Sequence, residues 1–130
     1  MRRANEQEVL LSLIRAYEEE ANLYAGLEDA AIRQREIIEN GKDPRQIDGL
    51  VERQRELAEH IGRIEAAITP LRQYWEQMRD AAQGPQVRQL AQNLDRLLDK
   101  LAEKIHAIVA IERENSRSLL AVTASGRAAS

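Results

Sequence analysis

Residues 47–78, "IDGLVERQRELAEHIGRIEAAITPLRQYWEQM", carry the most regular apolar pattern in the chain. One set of positions within this stretch advances in alternating steps of three and four, and nine of its ten members are apolar. The ten are Ile47, Leu50, Gln54, Leu57, Ile61, Ile64, Ile68, Leu71, Trp75 and Met78. Because this spacing keeps all ten on one face of a helix, the stretch predicts a long helix that packs along a coiled-coil seam.

Turn residues mark where this helix begins. Asp43 can cap it, Pro44 suits its first position, and Gln46 stands where the partner in a capping box would lie. Upstream, Asn40-Gly41 supplies the stop for a first helix, since glycine readily ends a helix in the left-handed conformation. We therefore expect the first helix over about residues 6–39.

Pro70 lies inside the second helix, which we place over about 44–81. A proline in a helix interior removes one backbone hydrogen bond and costs roughly 3 kcal/mol. The apolar spacing nevertheless continues in phase from Ile68 to Leu71. We therefore expect a kink at Pro70 rather than a loop.

The flanking segments complete an all-α fold. In the first helix, apolar residues come in adjacent pairs such as Leu13-Ile14, so its apolar face is wide enough to touch two neighbours. The third helix opens at Gly84-Pro85 and is expected over about 85–118, followed by a flexible tail over 119–130. Short connections favour antiparallel neighbours. The chain is thus predicted to form one elongated domain, an antiparallel three-helix bundle or coiled coil.

Composition excludes several classes of protein. The chain has 130 residues, a net charge of −3, no cysteine and no clustered basic face, so disulfides, thiolate metal sites and nucleic-acid binding are all disfavoured. No apolar run approaches the roughly 18 residues of a membrane span. The first residues carry charges where a signal peptide needs its apolar region, so we expect a cytoplasmic protein that does not span a membrane.

Few residues suggest catalysis or metal binding. Glu103 and His106 have the Glu-x-x-His spacing of helical di-iron sites, but such a site needs the motif twice together with inward glutamates. The apolar spacing on either side predicts that His106 faces solvent. His60 flanks Ile61 at the edge of the seam, and no Ser–His–carboxylate set or phosphate-binding loop is present. We therefore expect no enzyme, no cofactor and no metal.

Two other features have ordinary structural explanations. The acidic run Glu18–Glu20 is predicted to be a solvated helix face, with docking of a basic partner as the alternative. Trp75 lies on the seam and is predicted to fill the core, with a partner-binding hot spot as the alternative.

The closing stretch "IERENSRSLLAVTAS", residues 111–125, is less regular. Polar residues at 112–116 interrupt the apolar face, and Leu119, Leu120 and Val122 then follow. These residues are either the frayed end of the third helix or a contact surface, since apolar clusters beyond the end of a bundle often mark one.

The order and spacing of these segments resemble the FlgN-type flagellar export chaperones over roughly residues 8–122. "EVLLSLIRAYEEEANLYAGLEDAAIRQREIIENG" is similar to that family's opening helix, and "IDGLVERQRELAEHIGRIEAA" to its second. "IERENSRSLL" resembles the family's closing pattern, in which an Asn precedes a Leu pair, here Asn115, Leu119 and Leu120.

The resemblance implies a cytosolic, non-enzymatic chaperone. Members of this family bind the C-terminal amphipathic helices of hook–filament junction (hook-associated) proteins, keep them unpolymerised, and deliver them to the flagellar type III export apparatus. On that basis we expect the client to contact the outward side of the third helix and its extension, at Leu98, Ile105, Val109, Asn115, Leu119, Leu120 and Val122. The alternative is a structural coiled coil that self-associates as a homo-oligomer and has no client.

Overall fold

The computed structural model describes residues 6–41, 43–81 and 84–129, with side chains up to residue 121. It contains three α-helices, α1 (Glu6–Glu39), α2 (Gln46–Met78) and α3 (Pro85–Ala129), and no strand in the described ranges. The predicted all-α three-helix fold is therefore confirmed.

The connection between α1 and α2 follows from its turn residues. The Gly41 N–H donates to the Ile38 carbonyl at 3.3 Å with the glycine at φ +63°, a conformation that side chains disfavour. Asp43 Oδ1 then accepts a hydrogen bond from the Arg45 backbone N–H at 2.9 Å, which organises the turn before α2. Asp43 therefore orders the turn but is not the N-cap that was predicted, because α2 begins at Gln46 with Arg45 as its N-cap, and Pro44 lies in the turn and not in the first helical position.

Pro70 and the end of α3 can both be compared with what the sequence predicted. Helix α2 passes through Pro70 as one element, so the proline does not make a loop. Helix α3 begins at Pro85 as predicted. It was expected to end near residue 118 but continues to Ala129. After Pro85 the sequence has no further proline, and Gly126 lies within α3. The backbone therefore has no strong stop signal in this region.

Helix α1 lies between the other two helices. It approaches both α2 and α3 closely, whereas no Cα of α2 comes within 8 Å of one of α3 in the described ranges. Its buried residues include the adjacent pairs Val9-Leu10 and Ala30-Ala31, which confirms the wide apolar face that was predicted. α2 and α3 each bury a narrower set at intervals of seven or fourteen residues. These residues are Ile47, Ile61, Ile68 and Trp75 in α2, and Val87, Leu94, Leu101, Ile108 and Asn115 in α3.

Cross-helix hydrogen bonds fix the relative directions of the helices. Gln7 Nε2 donates to Gln86 Oε1 at 2.7 Å, and Asn115 Nδ2 donates to the Ala31 carbonyl at 2.9 Å, so α1 and α3 are parallel. α2 runs antiparallel to α1. Counted from the contact between Ala31 and Asn115, α1 continues for eight more residues and α3 for fourteen. At 1.5 Å per residue, α3 therefore projects about 9 Å beyond the end of α1.

Candidate functional site

A groove separates α2 from α3 over the second half of α1. Its volume is about 400 Å³. It is lined by Tyr24 and Leu27 of α1, by Val51, Gln54, Arg55 and Ala58 of α2, and by Ile105, Ile108, Val109 and Glu112 of α3. Because α2 and α3 do not approach each other closely in the described ranges, the outward-facing side chains of both remain accessible. This groove is the candidate binding site.

The α3 wall carries predicted contact residues. Ile105 and Val109 line the groove and are each 37% exposed. Leu98 is also 37% exposed and lies seven residues before Ile105, which places it on the same side of the helix. Three of the seven residues expected to bind a client therefore form one accessible apolar stripe.

The α2 wall and the floor were not identified from the sequence. Val51 is 51% exposed and faces the groove with Ala58, while Tyr24 and Leu27 form the floor. Val51 directly follows Leu50 of the predicted seam, so it lies beside the seam rather than on it. An exposed β-branched residue beside a seam is a weak signal, and it gains meaning only once the position of α3 is known.

A chain of amides and a carboxylate crosses the groove at one end. Gln34 Nε2 donates to Gln54 Oε1 at 2.8 Å, and Gln54 Nε2 donates to Glu112 Oε1 at 3.4 Å. Gln54, the polar exception in the α2 seam, thus links all three helices. The other charged lining residue, Arg55, pairs with Glu52 at 2.6 Å. Both charged groups that line the groove are therefore engaged within the chain.

Asn115 was expected on the accessible surface, but it is buried. It is only 4% exposed, and its amide is used inside the fold by the hydrogen bond to Ala31. The physical reason is its register, since Asn115 continues the seven-residue spacing of buried positions that runs through Leu101 and Ile108. Its observed role is to dock α3 on α1.

The last three predicted contact residues lie near the projecting end of α3. Leu119 is half-buried, whereas Leu120 is 70% exposed. The side chain of Val122 lies outside the described residues. Leu119 and Leu120 come after Asn115 in the helix, so they stand beyond the groove rather than in its wall.

A second polar cluster lies between α1 and α2. Glu20 is 1% exposed, although the sequence predicted a solvated face, and its Oε2 accepts no hydrogen bond from the described residues. Its carboxyl shares a hydrogen bond with the Glu65 carboxyl. Arg72 Nη1 donates to Glu65 Oε2 at 2.7 Å and to the Tyr17 hydroxyl at 3.5 Å.

The environment of this cluster favours a protonated carboxyl. Burial, followed by the hydrogen bond and the negative charge of Glu65, raises the pKa of Glu20 to about 8, against an opposing effect of Arg72. Burial and the charges of Glu20 and Glu65 also raise the pKa of Tyr24. Since Tyr24 lines the groove, the cluster lies next to the groove floor.

In the described ranges, no group of three or more His, Cys, Asp or Glu side chains is arranged to hold a metal ion. His106 is exposed, as predicted, and His60 Nε2 lies 3.2 Å from Glu19 Oε1. Trp75 belongs to the core, also as predicted. Within the same ranges, no helix is both long and apolar enough to cross a membrane.

Comparisons with protein-family models, with curated proteins and with solved structures give no match to this chain.

Proposed function

We propose that this chain is a non-enzymatic chaperone of the cytosol that holds an amphipathic helix of a partner protein in the groove between α2 and α3. The observation that carries the proposal is the groove itself. It has apolar walls on two helices that do not approach each other closely in the described ranges. A fourth helix laid along it would cover Val51, Ile105 and Val109 together.

The chemistry of the groove favours a helix with one apolar face. The backbone groups of the walls are bonded within their own helices, so they offer an extended peptide no ladder of hydrogen bonds, whereas a bound helix satisfies its own backbone. Arg55 and Glu112 are already engaged within the chain. The α3 stripe from Leu98 to Val109 spans eleven residues, or about 17 Å, enough for three turns of a client helix.

The resemblance to FlgN-type chaperones supplies the client class. It implies the C-terminal amphipathic helices of hook–filament junction proteins, with delivery to the flagellar export apparatus as the purpose of binding. Such helices assemble through their apolar faces, and a groove that covers this face would keep them unpolymerised.

The test is calorimetric titration of the full chain with C-terminal peptides of hook–filament junction proteins. The groove variant combines Ile105→Asp with Val109→Asp. The matched control is Leu11→Asp, because Leu11 is similarly exposed, at 39%, but lies in the first half of α1. A chain ending at Ser118 removes Leu119 and Leu120 while keeping Asn115. Far-UV circular dichroism shows whether each variant keeps its helicity.

We expect micromolar or tighter binding by the full chain and by the control, and at least a tenfold loss in the groove variant. Loss on shortening to Ser118 would add the part of α3 after Ser118 to the client surface. If the folded full chain binds none of these peptides, the chaperone proposal for this client class is wrong.

The second candidate is a self-associating structural coiled coil. It is favoured by Leu120, which is 70% exposed near the C-terminal end of α3 and would be covered by a second copy of the chain. Sedimentation at micromolar concentration separates the two candidates. A dimer or tetramer that Leu120→Asp converts to monomer supports self-association, whereas a monomeric full chain excludes it.

A further inference from the structure

Close backbone packing of α2 involves one neighbouring helix, while side chains such as Gln54, bonded to Glu112, link α2 to α3. In the described ranges its backbone approaches α1 closely and does not approach α3. A change that weakens the α1–α2 interface near Glu20 therefore lets α2 shift without breaking close backbone packing between α2 and α3. Because α2 forms one wall of the groove, such a movement also changes the groove width.

The α1–α2 interface contains a carboxyl pair that requires a proton. Glu20 and Glu65 share a hydrogen bond, and two fully ionised carboxylates have no proton with which to form one. Arg72 neutralises Glu65 at 2.7 Å, but Oε2 of Glu20 is buried and accepts no hydrogen bond from the described residues. A negative charge on Glu20 would thus lie in the interface with one oxygen unpaired, which is strongly unfavourable.

We propose that Glu20 and Glu65 form a proton-dependent latch between α1 and α2. While the pair shares a proton, α2 seats against α1. When the proton leaves to solvent, the charge on Glu20, which Arg72 offsets only in part, drives α2 away from α1 and widens the groove. The latch is a property of the free chain and does not depend on what the groove binds.

Each helix contributes identifiable groups around the latch. α1 places Tyr17 and Tyr24 nearby, and α2 supplies Glu65 and Arg72. The α3 residues buried in the same core as Tyr17 are all apolar. They are Val87, Leu94 and Leu101.

The direction of the pH effect follows from the acid character of Glu20. In the unfolded chain its pKa is about 4.5, and in the folded chain it is raised to about 8. The favourable interaction is therefore fully present below pH 4.5 and is progressively lost as the pH rises toward 8. For one proton, the unfolding equilibrium constant rises by up to tenfold per pH unit across this window.

The first experiment isolates this proton in a His60→Gln background, which removes the His60–Glu19 contact across the same interface. Urea unfolding is followed by Trp75 fluorescence from pH 5 to 9. The latch variant is Glu20→Gln, which keeps the shape and a hydrogen-bonding group. The control is Glu18→Gln, at an exposed position on the same helix. We expect a steep pH dependence in the background chain and the control, and a slope at least threefold smaller in Glu20→Gln.

A second experiment tests the movement. The chain has no native cysteine, so a spin-label pair at Glu56→Cys and Arg113→Cys reports the α2–α3 distance cleanly. A pair at Asn22→Cys and Glu103→Cys reports α1–α3. Between pH 6 and 9 we expect the α2–α3 distance to increase by several ångströms, the α1–α3 distance to stay constant, and Glu20→Gln to abolish the increase.

Two results would overturn the latch: equal pH slopes for Glu20→Gln and Glu18→Gln, or an α2–α3 distance that does not change with pH. If Glu20→Gln does not fold, the unsubstituted chain is tested instead. A ¹³C titration of its glutamate side chains must then show one carboxyl that titrates near pH 8, and its absence excludes the latch.

Discussion

The two ends of this bundle share one helical spacing but place different side chains on it. At the packed end, defined here by Leu10, Leu13, Trp75, Val87 and Leu94, the buried positions are aliphatic or aromatic and belong to one continuous core. At the polar end, equivalent positions carry amides. These are Gln34 in α1, Gln54 in α2 and Asn115 in α3.

The packed end and the polar end contribute differently to the stability of the bundle and to the accessibility of the groove. Burial of apolar area stabilises without direction, so the packed end contributes most of the folding free energy. Amide hydrogen bonds add less net stability but require specific partners, and so they set the register of the helices. At the polar end the Gln54–Glu112 hydrogen bond bridges α2 and α3 without close backbone packing, and the groove beside it remains accessible.

The largest effect should come from the packed end. Leu10 is 0% exposed, and Leu10→Ala should lower the free energy of unfolding by about 2–5 kcal/mol through lost burial and a residual cavity. Urea unfolding followed by Trp75 fluorescence measures the change. Leu120→Ala, at a site 70% exposed, is the matched control and should stay within about 0.5 kcal/mol. Similar costs for both variants would contradict the contrast between the two regions.

Asn115 offers a way to make the polar end resemble the packed end. Asn115→Ala should cost about 1–2 kcal/mol, because it removes a buried hydrogen bond to the Ala31 carbonyl and leaves space. Asn115→Leu should cost less or even stabilise, since it extends the apolar spacing of α3. Urea unfolding of both variants gives the comparison, and Asn93→Ala, at an exposed position, serves as the control. If alanine and leucine at 115 have the same effect, register does not explain the burial of this residue.

Two glycines compare a packed surface with an open one. A Cβ added at Gly62 would meet nothing within 4 Å, so Gly62→Ala should raise the unfolding free energy by about 0.5–1 kcal/mol through helix propensity. A Cβ at Gly26 would lie 3.1 Å from Leu57 Cδ1, and Gly26→Ala should gain less because Leu57 must move. Thermal unfolding of the two variants measures the difference. A larger gain at Gly26 would show that the α1–α2 interface is looser than described.

The smallest stability effect is expected in the groove wall. Val51 is half exposed, so Val51→Ser should change the unfolding free energy by less than about 0.5 kcal/mol. The same variant should weaken binding of a client helix severalfold, because Val51 would be covered on binding. Urea unfolding and calorimetric titration on one preparation distinguish the two effects. A stability loss as large as that of Leu10→Ala would place Val51 in the core instead.

Much of the fold could be predicted because its signals are local. The spacing of α2, the Asn40-Gly41 stop and the Gly84-Pro85 start lie within a few residues of the features they specify. Ile105 and Val109 were also identified correctly as accessible, since they fall beside the buried spacing of α3. By contrast, nothing in residues 119–129 indicates how far beyond its neighbours α3 continues.

The buried polar residues were harder to predict from residue type. Glu20 belongs to an acidic run, and Asn115 to a polar stretch, so each was expected at a surface. The seven-residue spacing of buried positions would have identified both residues as buried. Glu20 lies seven residues from Leu13 and from Leu27, and Asn115 seven residues from Ile108. Position in the repeat outweighed polarity because a partner was available at each site, the Glu65 carboxyl for Glu20 and the Ala31 carbonyl for Asn115.

Three long helices and the apolar face of each can be read from local patterns, because helical periodicity is a property of neighbouring residues along one chain. The central position of α1 and the separation of α2 from α3 emerge only when the helices pack. Those outcomes depend on which apolar faces meet across helices, and the wide face of α1 can cover two partners while the narrow seams of α2 and α3 each cover one. The groove and the buried carboxyl pair both follow from that arrangement.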